Sequence, residues 1–252
     1  MIKQLSQALQ VNKELNGIAS KTTQFNATLP IQLEVKEKLL GIRYMLKVGN
    51  VMLETKSMRD LEIGGKYWAQ MAKDNKGTIM LSNLIKQPHL LKEQNMPLRL
   101  NTENLSAFLE AEKPFESMKG FLMDRLMSAE SKWEFAFLSH MLMSLKHKVL
   151  TLPLRYDEEE KNGLMQLKKK KVQEKDSLEF YSVFANLGAV WGVLRNFEDG
   201  IRLDISVMYE SIAKILEKNL DSLPCIKETY INVDDKIKPL YDFDDFLLNV
   251  EG

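Results

Sequence analysis

The chain has 252 residues, of which 44% are apolar and 28% are charged, and its formal net charge is zero. This balance is typical of a soluble globular protein with material for one large domain or two small ones. The single cysteine, Cys225, excludes an intramolecular disulfide and a cysteine-only metal cluster, which favours a reducing, cytoplasmic location. The sequence also lacks an apolar stretch of membrane-spanning length and a signal-peptide pattern, so we expect no membrane partner.

The charges are unevenly divided along the chain. Residues 198–252 contain thirteen acidic and six basic side chains, which gives this part a net charge of −7. Since the whole chain is neutral, residues 1–197 carry a net charge of +7. A basic body with an acidic end indicates either an electrostatic partner or an end that folds back on the body. Uncorrelated surface charge is the alternative interpretation.

The first predicted element is an amphipathic helix followed by a polar linker, which together occupy residues 1–29. Next, Ile31, Leu33 and Val35 alternate with polar residues, a pattern typical of a strand. Pro30 can equally occupy the first turn of a helix that runs to about residue 53, and we favour that helix. A further helix is predicted over residues 78–86, because the following proline disfavours helical geometry at its predecessor.

Two long apolar segments predict the core. Residues 115–150 are densely apolar and indicate one long central helix. They lead into a short alternating stretch, residues 150–156, which is compatible with an edge strand because Pro153 is tolerated only at an edge. In residues 180–216, apolar side chains recur at steps of three, four or seven residues, the period of one buried helix face. This stripe consists of Phe180, Phe184, Leu187, Trp191, Leu194, Ile201, Ile205, Met208, Ile212 and Ile215.

The sequence therefore predicts a mainly α fold. A multi-helix globular domain is expected over residues 30–233, preceded by the N-terminal helix and linker and followed by an acidic-aromatic C-terminal segment, residues 234–252. The alternating stretches also allow one small β element in this helical fold, near 31–36 or 150–156. The 14 methionines are interpreted as core filling rather than as an exposed methionine groove.

The sequence carries no recognisable catalytic constellation. It contains neither a nucleophile-elbow motif nor a phosphate-binding glycine motif. His140 and His147 are seven residues apart, which on one helix separates them by about 10 Å, too far to share a metal ion. The acidic residues after position 233 lack the pattern of an EF-hand loop. We therefore expect a non-enzymatic protein with no cofactor and no metal site.

The densest basic feature is the run Lys168, Lys169, Lys170 and Lys171. Such a run offers positive charge to a phosphate backbone, so these four residues are the candidate nucleic-acid contacts. Four adjacent lysines are expected to point around a helix. The alternative is a solvated charged hinge, since acidic residues flank the run on both sides.

The C-terminal segment alternates acidic and aromatic residues, and its candidate partner-docking residues are Tyr241, Asp242, Phe243, Asp244, Asp245 and Phe246. Over residues 241–248 the segment resembles, in composition, the acidic-aromatic tails by which single-stranded-DNA-binding proteins recruit partners. The alternative is that Phe243 and Phe246 dock into the core of the chain itself.

These observations favour a non-enzymatic intracellular subunit that acts through assembly or protein interaction, with a protein partner or a second copy of the chain. The alternative is an accessory protein that binds DNA or RNA through its basic body, with the acidic segment as competitor or recruitment motif.

Overall fold

The fold is mainly β, with 50% of residues in strands and 23% in helices, so the prediction of a mainly α, all-helical protein is wrong. The structure is a computed structural model that describes residues 29–73, 79–88, 98, 100, 110, 112–156, 161–172, 175–198, 200–220 and 226–243. The predicted N-terminal helix and most of its linker lie outside these residues. Two β-sheets and three helices make up the described part.

The first sheet consists of five antiparallel strands in the order β3-β2-β1-β4-β5. Its strands are β1 (Ile31–Lys38), β2 (Arg43–Val48), β3 (Val51–Lys56), β4 (Lys66–Lys73) and β5 (Ile79–Lys86). The alternation of Leu33 and Val35 with polar residues places both side chains in the core, because successive side chains of a strand face opposite ways. Gly49, at a φ of 57°, provides the positive φ that the two-residue turn between β2 and β3 requires.

The helices predicted over residues 30–53 and 78–86 are therefore strands. In both regions the apolar residues recur at steps of three and four, as on a helix face, and at steps of two, as on a strand face. Over so few residues the two periods cannot be distinguished. Pairing of β1 with β4 favours the strand over the helix, since β4 contributes Tyr67 and Ala69 to the same small core as Leu33 and Val35. We call this the small core, and its buried members are Leu33, Val35, Tyr44, Leu46, Val48, Leu61, Tyr67 and Ala69.

The second sheet has six strands in the order β11-β10-β9-β8-β7-β6. Its strands are β6 (Leu150–Tyr156), β7 (Lys161–Val172), β8 (Lys175–Phe184), β9 (Gly188–Phe197), β10 (Gly200–Val207) and β11 (Ile226–Val233). Neighbours are antiparallel except β10 and β11, which are parallel and are joined through a helix, α3 (Glu210–Leu220). A parallel pair needs such a crossover. Pro153 lies in β6, an edge strand of this sheet, where its missing N–H is tolerated.

The predicted stripe over residues 180–216 is mostly three strands, not helix. Many β8 and β9 residues are buried on both sheet faces, and such strands read as near-continuous apolar runs rather than alternating ones. Because both faces of these strands supply apolar residues, such residues also occur three and four positions apart, although the chain is extended. The turns that interrupt it are marked by Gly188 and Gly200, at φ of 78° and 140°. The stripe becomes helical only in α3, where Ile212 is buried.

Gly192 of β9 pairs with Phe180 of β8 on one side and with Ile205 of β10 on the other. Gly192 lies under the ring of Phe180, and a Cβ there would come within 2.5 Å of the ring and 2.7 Å of the carbonyl of Asp204. Glycine is therefore required at position 192 by a cross-strand aromatic neighbour and by the backbone of β10.

The central apolar region forms a helical hairpin followed by a strand. Its helices are α1 (Pro114–Met127) and α2 (Lys132–Lys146), and residues from 150 onward belong to β6. One long helix was predicted here. A break at Ser128–Ser131 instead lets the two helices pack on each other, while α2 also packs against β6.

The two sheets meet where a turn of the second sheet contacts the first. The carbonyl of Ala185, between β8 and β9, accepts hydrogen bonds from Gln32 Nε2 at 2.7 Å and Trp68 Nε1 at 2.8 Å. The hydroxyl of Tyr209 donates to the carbonyl of Asn83 at 3.0 Å. Trp68 is fully buried and belongs to the main core, which the helices and the second sheet build.

Candidate functional site

The helical hairpin is held by local interactions that the sequence specifies. Ser131 caps α2, its hydroxyl accepting from the backbone N–H of Glu134 at 3.0 Å. Glu134 in turn accepts from Arg125, near the end of α1, at 2.8 Å. Pro114 occupies the first turn of α1, where its fixed φ suits a helix. These contacts fix the starts of both helices and link the end of α1 to the first turn of α2.

Each helix of the hairpin buries one face and exposes another. Met118 and Leu122 are the buried residues of α1, and Phe137, Leu138 and Met141 are buried in α2. The outer faces are not uniformly polar. Large apolar side chains are substantially exposed along both helices, namely Phe121 at 42%, Met123 at 47%, Met127 at 79%, Phe135 at 55% and Met143 at 40%. Exposed apolar side chains mark an interaction site when they form a shared surface, and Met123 and Met143 line one groove.

A groove of about 680 Å³ lies between the two helices, and we call it the hairpin groove. Its apolar lining comes from both helices and consists of Phe115, Met123, Leu126, Leu142, Met143 and Leu145. The lining runs from Phe115 to Leu126 on α1 and from Ser139 to Lys146 on α2, which at 1.5 Å per residue gives walls of about 17 Å and about 11 Å. The groove can therefore accommodate an apolar helix face of about two to three turns.

The charged residues along the hairpin groove are predominantly basic. Lys119, Lys146 and Lys148 line it together with one carboxylate, Glu116. Lys148 is held in place by the backbone at the end of α2, where it adopts a φ of 61°. The N–H of Lys148 donates to the carbonyl of Leu145 at 2.9 Å, and that of Val149 to the carbonyl of Ser144 at 2.9 Å. This is the Schellman pattern of a helix end, so the position of Lys148 is fixed by the fold.

The predicted nucleic-acid contacts, Lys168 to Lys171, lie in β7 and not on a helix. Because side chains alternate along a strand, Lys168 and Lys170 occupy one face of the sheet and Lys169 and Lys171 the other. Lys169, Lys170 and Lys171 are exposed, and Lys168 is half-buried. The structure therefore spreads the run over two surfaces, which corrects the expectation that it points around a helix.

On the face that carries Lys168 and Lys170, neighbouring cations pair with carboxylates. Lys170 contacts the buried Glu179, whose other oxygen accepts from the indole N–H of Trp191 at 3.1 Å. Further across the sheet, Arg195 pairs with Asp204. Each pair neutralises a positive charge that a phosphate backbone would need.

The predicted partner-docking residues divide into buried and undescribed ones. Tyr241 is 4% exposed and Phe243 is 8% exposed, while Asp242 is half-buried. The remaining candidates, Asp244, Asp245 and Phe246, lie outside the described residues. Gln166 fixes this segment, since its side-chain N–H donates to the carbonyl of Tyr241 at 2.7 Å and its oxygen accepts from the N–H of Leu240 at 2.8 Å. The partner-docking role of the segment stays a prediction.

Two histidines, His140 in α2 and His147 directly after it, face this segment. The ring of His140 lies 5.8 Å from that of Phe243, and the ring of His147 lies 5.6 Å from that of Tyr241, measured between centroids. Burial lowers the pKa of His140 and raises the pKa of Tyr241. The described residues contain no group of three or more His, Cys, Asp or Glu side chains placed to hold a metal ion.

Sequence reasoning missed the hairpin groove. A signal was present, because Phe115, Lys119, Met123 and Leu126 recur at helical spacing beside the buried stripe of Met118 and Leu122. Methionines were assigned to the core as a class, although Met123 and Met143 line an exposed surface.

Comparison of the chain with models of protein families, with curated proteins and with solved structures gave no match. In the part of the chain that the structure describes, none of the helices is both long and apolar enough to cross a membrane.

Proposed function

We propose that the protein is a non-enzymatic subunit that works by protein interaction, and that its hairpin groove binds an amphipathic helix of a partner. The observation that carries the proposal is the exposed apolar groove between α1 and α2. Helices that lay an apolar face into such a groove are a recurring mode of protein recognition. The proposal includes the cytoplasmic location expected from the single cysteine, Cys225.

The charge of the groove defines the partner helix further. Lys119 and Lys146 lie along its walls and Lys148 at the end of α2, against one carboxylate, Glu116. We therefore expect acidic side chains beside the apolar face of the partner. Met123 and Met143 are flexible and polarisable, so they can adapt to more than one apolar side chain.

A binding measurement with a defined peptide tests the proposal. The probe is a labelled synthetic helix of about 15 residues, with leucine on one face and glutamate on the other. Fluorescence anisotropy should show saturable binding, and Met143→Glu should weaken it by about tenfold or more, because it places a charge in the apolar groove. The matched control is Met58→Glu, which alters a methionine that is 91% exposed in the connection between β3 and β4 and should leave binding unchanged.

Charge is tested separately with a second pair of variants. Lys146→Glu should weaken binding of the acidic peptide, whereas Lys218→Glu, at an exposed position of α3, should not. A peptide with lysine in place of glutamate should bind more weakly than the acidic one. Equal binding of both peptides, or equal effects of Met143→Glu and Met58→Glu, would contradict the proposal.

The alternative function is nucleic-acid binding by Lys168 to Lys171. Its support is the exposure of Lys169, Lys170 and Lys171 at the end of β7. The pairing of Lys170 with Glu179 weakens it, as does the division of the lysines between two faces. We therefore rank it second to the hairpin groove.

A further inference from the structure

A second surface, separate from the hairpin groove, lies between the two edge strands of the first sheet. Within the described part of the chain, the order β3-β2-β1-β4-β5 places β3 and β5 at the two ends of the sheet. Both nevertheless line one cavity of about 270 Å³, with Thr55 of β3 on one side and Leu81 and Leu84 of β5 on another. The sheet therefore curves until its edges face each other, and Leu46 and Leu61 of the small core form part of the lining between them.

We propose that the outer edge of β3 binds an extended segment of a partner protein, which adds to the sheet as a sixth strand in this gap. An edge strand presents a row of backbone N–H and C=O groups that a further strand can pair with. β3 pairs regularly with β2 at all six of its residues, from Arg43↔Lys56 to Val48↔Val51. Its first half carries exposed apolar side chains, Val51 at 41% and Met52 at 50%, and its charged residues, Glu54 and Lys56, lie in the second half.

The opposite edge, β5, is not suited to continuous pairing. Its register with β4 shifts between Trp68 and Gln70, so that two β5 residues oppose one residue of β4. One of the two, Asn83, has a φ of 50°, and its carbonyl already accepts from Tyr209. A bulge of this kind interrupts an edge. β5 therefore offers side-chain contacts from Leu81 and Leu84 to a strand that pairs with β3.

Basic residues at the cavity indicate which side chains one end of the bound segment should carry. Lys56 and Arg59, both exposed, line the cavity on the β3 side. The acidic residues nearby are paired with other cations, Glu54 with Arg43 at 3.2 Å, Asp60 with Lys38 at 2.7 Å and Glu62 with Lys86 at 2.5 Å. We therefore expect a segment whose apolar side chains face the cavity and whose acidic side chains lie near Lys56 and Arg59.

The first experiment uses a synthetic peptide of about eight residues, the length of a typical strand, that alternates valine with glutamate. A second peptide has the same sequence with N-methyl groups on alternate residues, which removes backbone donors and keeps the side chains. The unmethylated peptide should bind and should slow amide hydrogen exchange in β3 but not in β11, the edge strand of the second sheet. The methylated peptide should bind about tenfold more weakly or not at all.

Paired variants test the charge argument in the same assay. The double variant Lys56→Glu with Arg59→Glu should weaken binding, and Lys218→Glu on α3 should not. The proposal is overturned if the peptide does not bind, if methylation has no effect, or if protection appears on β5 alone. It is also overturned if light scattering shows that the free protein is a dimer and hydrogen exchange in β3 is already slow without peptide, because a second copy then occupies this edge.

Discussion

The side chain of Gln166 hydrogen-bonds both the C=O and the N–H of Tyr241, although 75 residues separate the two in sequence. Its amide N–H donates to the carbonyl of Tyr241 at 2.7 Å, and its amide oxygen accepts from the N–H of Tyr241 at 3.2 Å. Gln166 is itself fully buried in β7. A buried glutamine is costly unless it is hydrogen-bonded, and here the C-terminal segment supplies the partners.

We therefore predict that Gln166→Met destabilises the protein by about 1–3 kcal/mol, because it leaves buried backbone groups of residues 240–241 without partners. The measurement is urea denaturation, with hydrogen exchange at residues 240–241 as a local readout. Gln32→Met is the matched control, since it removes one exposed hydrogen bond to Ala185. Equal free energies of unfolding for the two variants would contradict this account of the segment.

The two tryptophans at positions 68 and 191 should differ in their contribution to stability. Trp68 is fully buried and donates to Ala185, so Trp68→Ala should cost about 3–5 kcal/mol. Trp191 is only half-buried and donates to Glu179, so Trp191→Ala should cost less than about 3 kcal/mol. Chemical denaturation of the two variants, compared with the unmodified protein, measures both. A larger loss at Trp191 would contradict the placement of the core.

These two residues also show how far the sequence predicts the fold. The stripe through Trp191 had the period of a helix, and it predicted a buried core element that is in fact three strands. Where both faces of a strand are covered, the two-residue period disappears from the sequence. Trp68 follows Gly64 and Gly65 in a segment without a clear apolar period. Its burial depends on contact with the distant Ala185, which no local sequence pattern predicts.

Local chemistry was the better guide in the helical hairpin. The apolar density of residues 115–150 predicted helix, and α1 and α2 occupy most of that range. The break at Ser128–Ser131 was missed, although Ser131 followed by Glu134 is a helix-start pattern. Without that break the sequence describes one helix and offers no groove. The hairpin groove therefore could not be predicted until the chain reversal was known.

His140 should make stability sensitive to acid. Burial lowers its pKa in the folded state, so the unfolded chain binds a proton more readily than the folded one. Stability should therefore fall as the pH decreases through about 6.5, the ordinary histidine value. Urea denaturation between about pH 7.5 and about pH 5.5 measures the effect.

The matched variants for this prediction are His140→Gln and His147→Gln. His140→Gln removes the titrating group beside Phe243, so its stability should depend less on pH than that of the unmodified protein. His147→Gln alters the histidine beside Tyr241 and should retain most of the pH dependence. If the curves of the unmodified protein and His140→Gln are parallel, His140 does not carry the acid sensitivity.

The lysine run gives a prediction that separates the two candidate functions. Changing Lys168, Lys169, Lys170 and Lys171 to alanine should weaken any binding to single- or double-stranded DNA or RNA and reduce its salt dependence. Filter binding or anisotropy at several salt concentrations measures both. The same variant should bind the acidic helical peptide as well as the unmodified protein, because these lysines lie in β7 and outside the hairpin groove. Absence of nucleic-acid binding at low salt would end the alternative function.

The most direct test of the central claim is an NMR titration of methyl-labelled methionines with the acidic helical peptide. The account predicts that the methyl signals of Met123 and Met143, which line the hairpin groove, shift with saturation. The signals of Met52, 50% exposed in β3, and Met58, 91% exposed in the connection after β3, should stay in place. If Met52 and Met58 move while Met123 and Met143 do not, or if all four move in proportion to peptide without saturating, the hairpin groove is not the binding site.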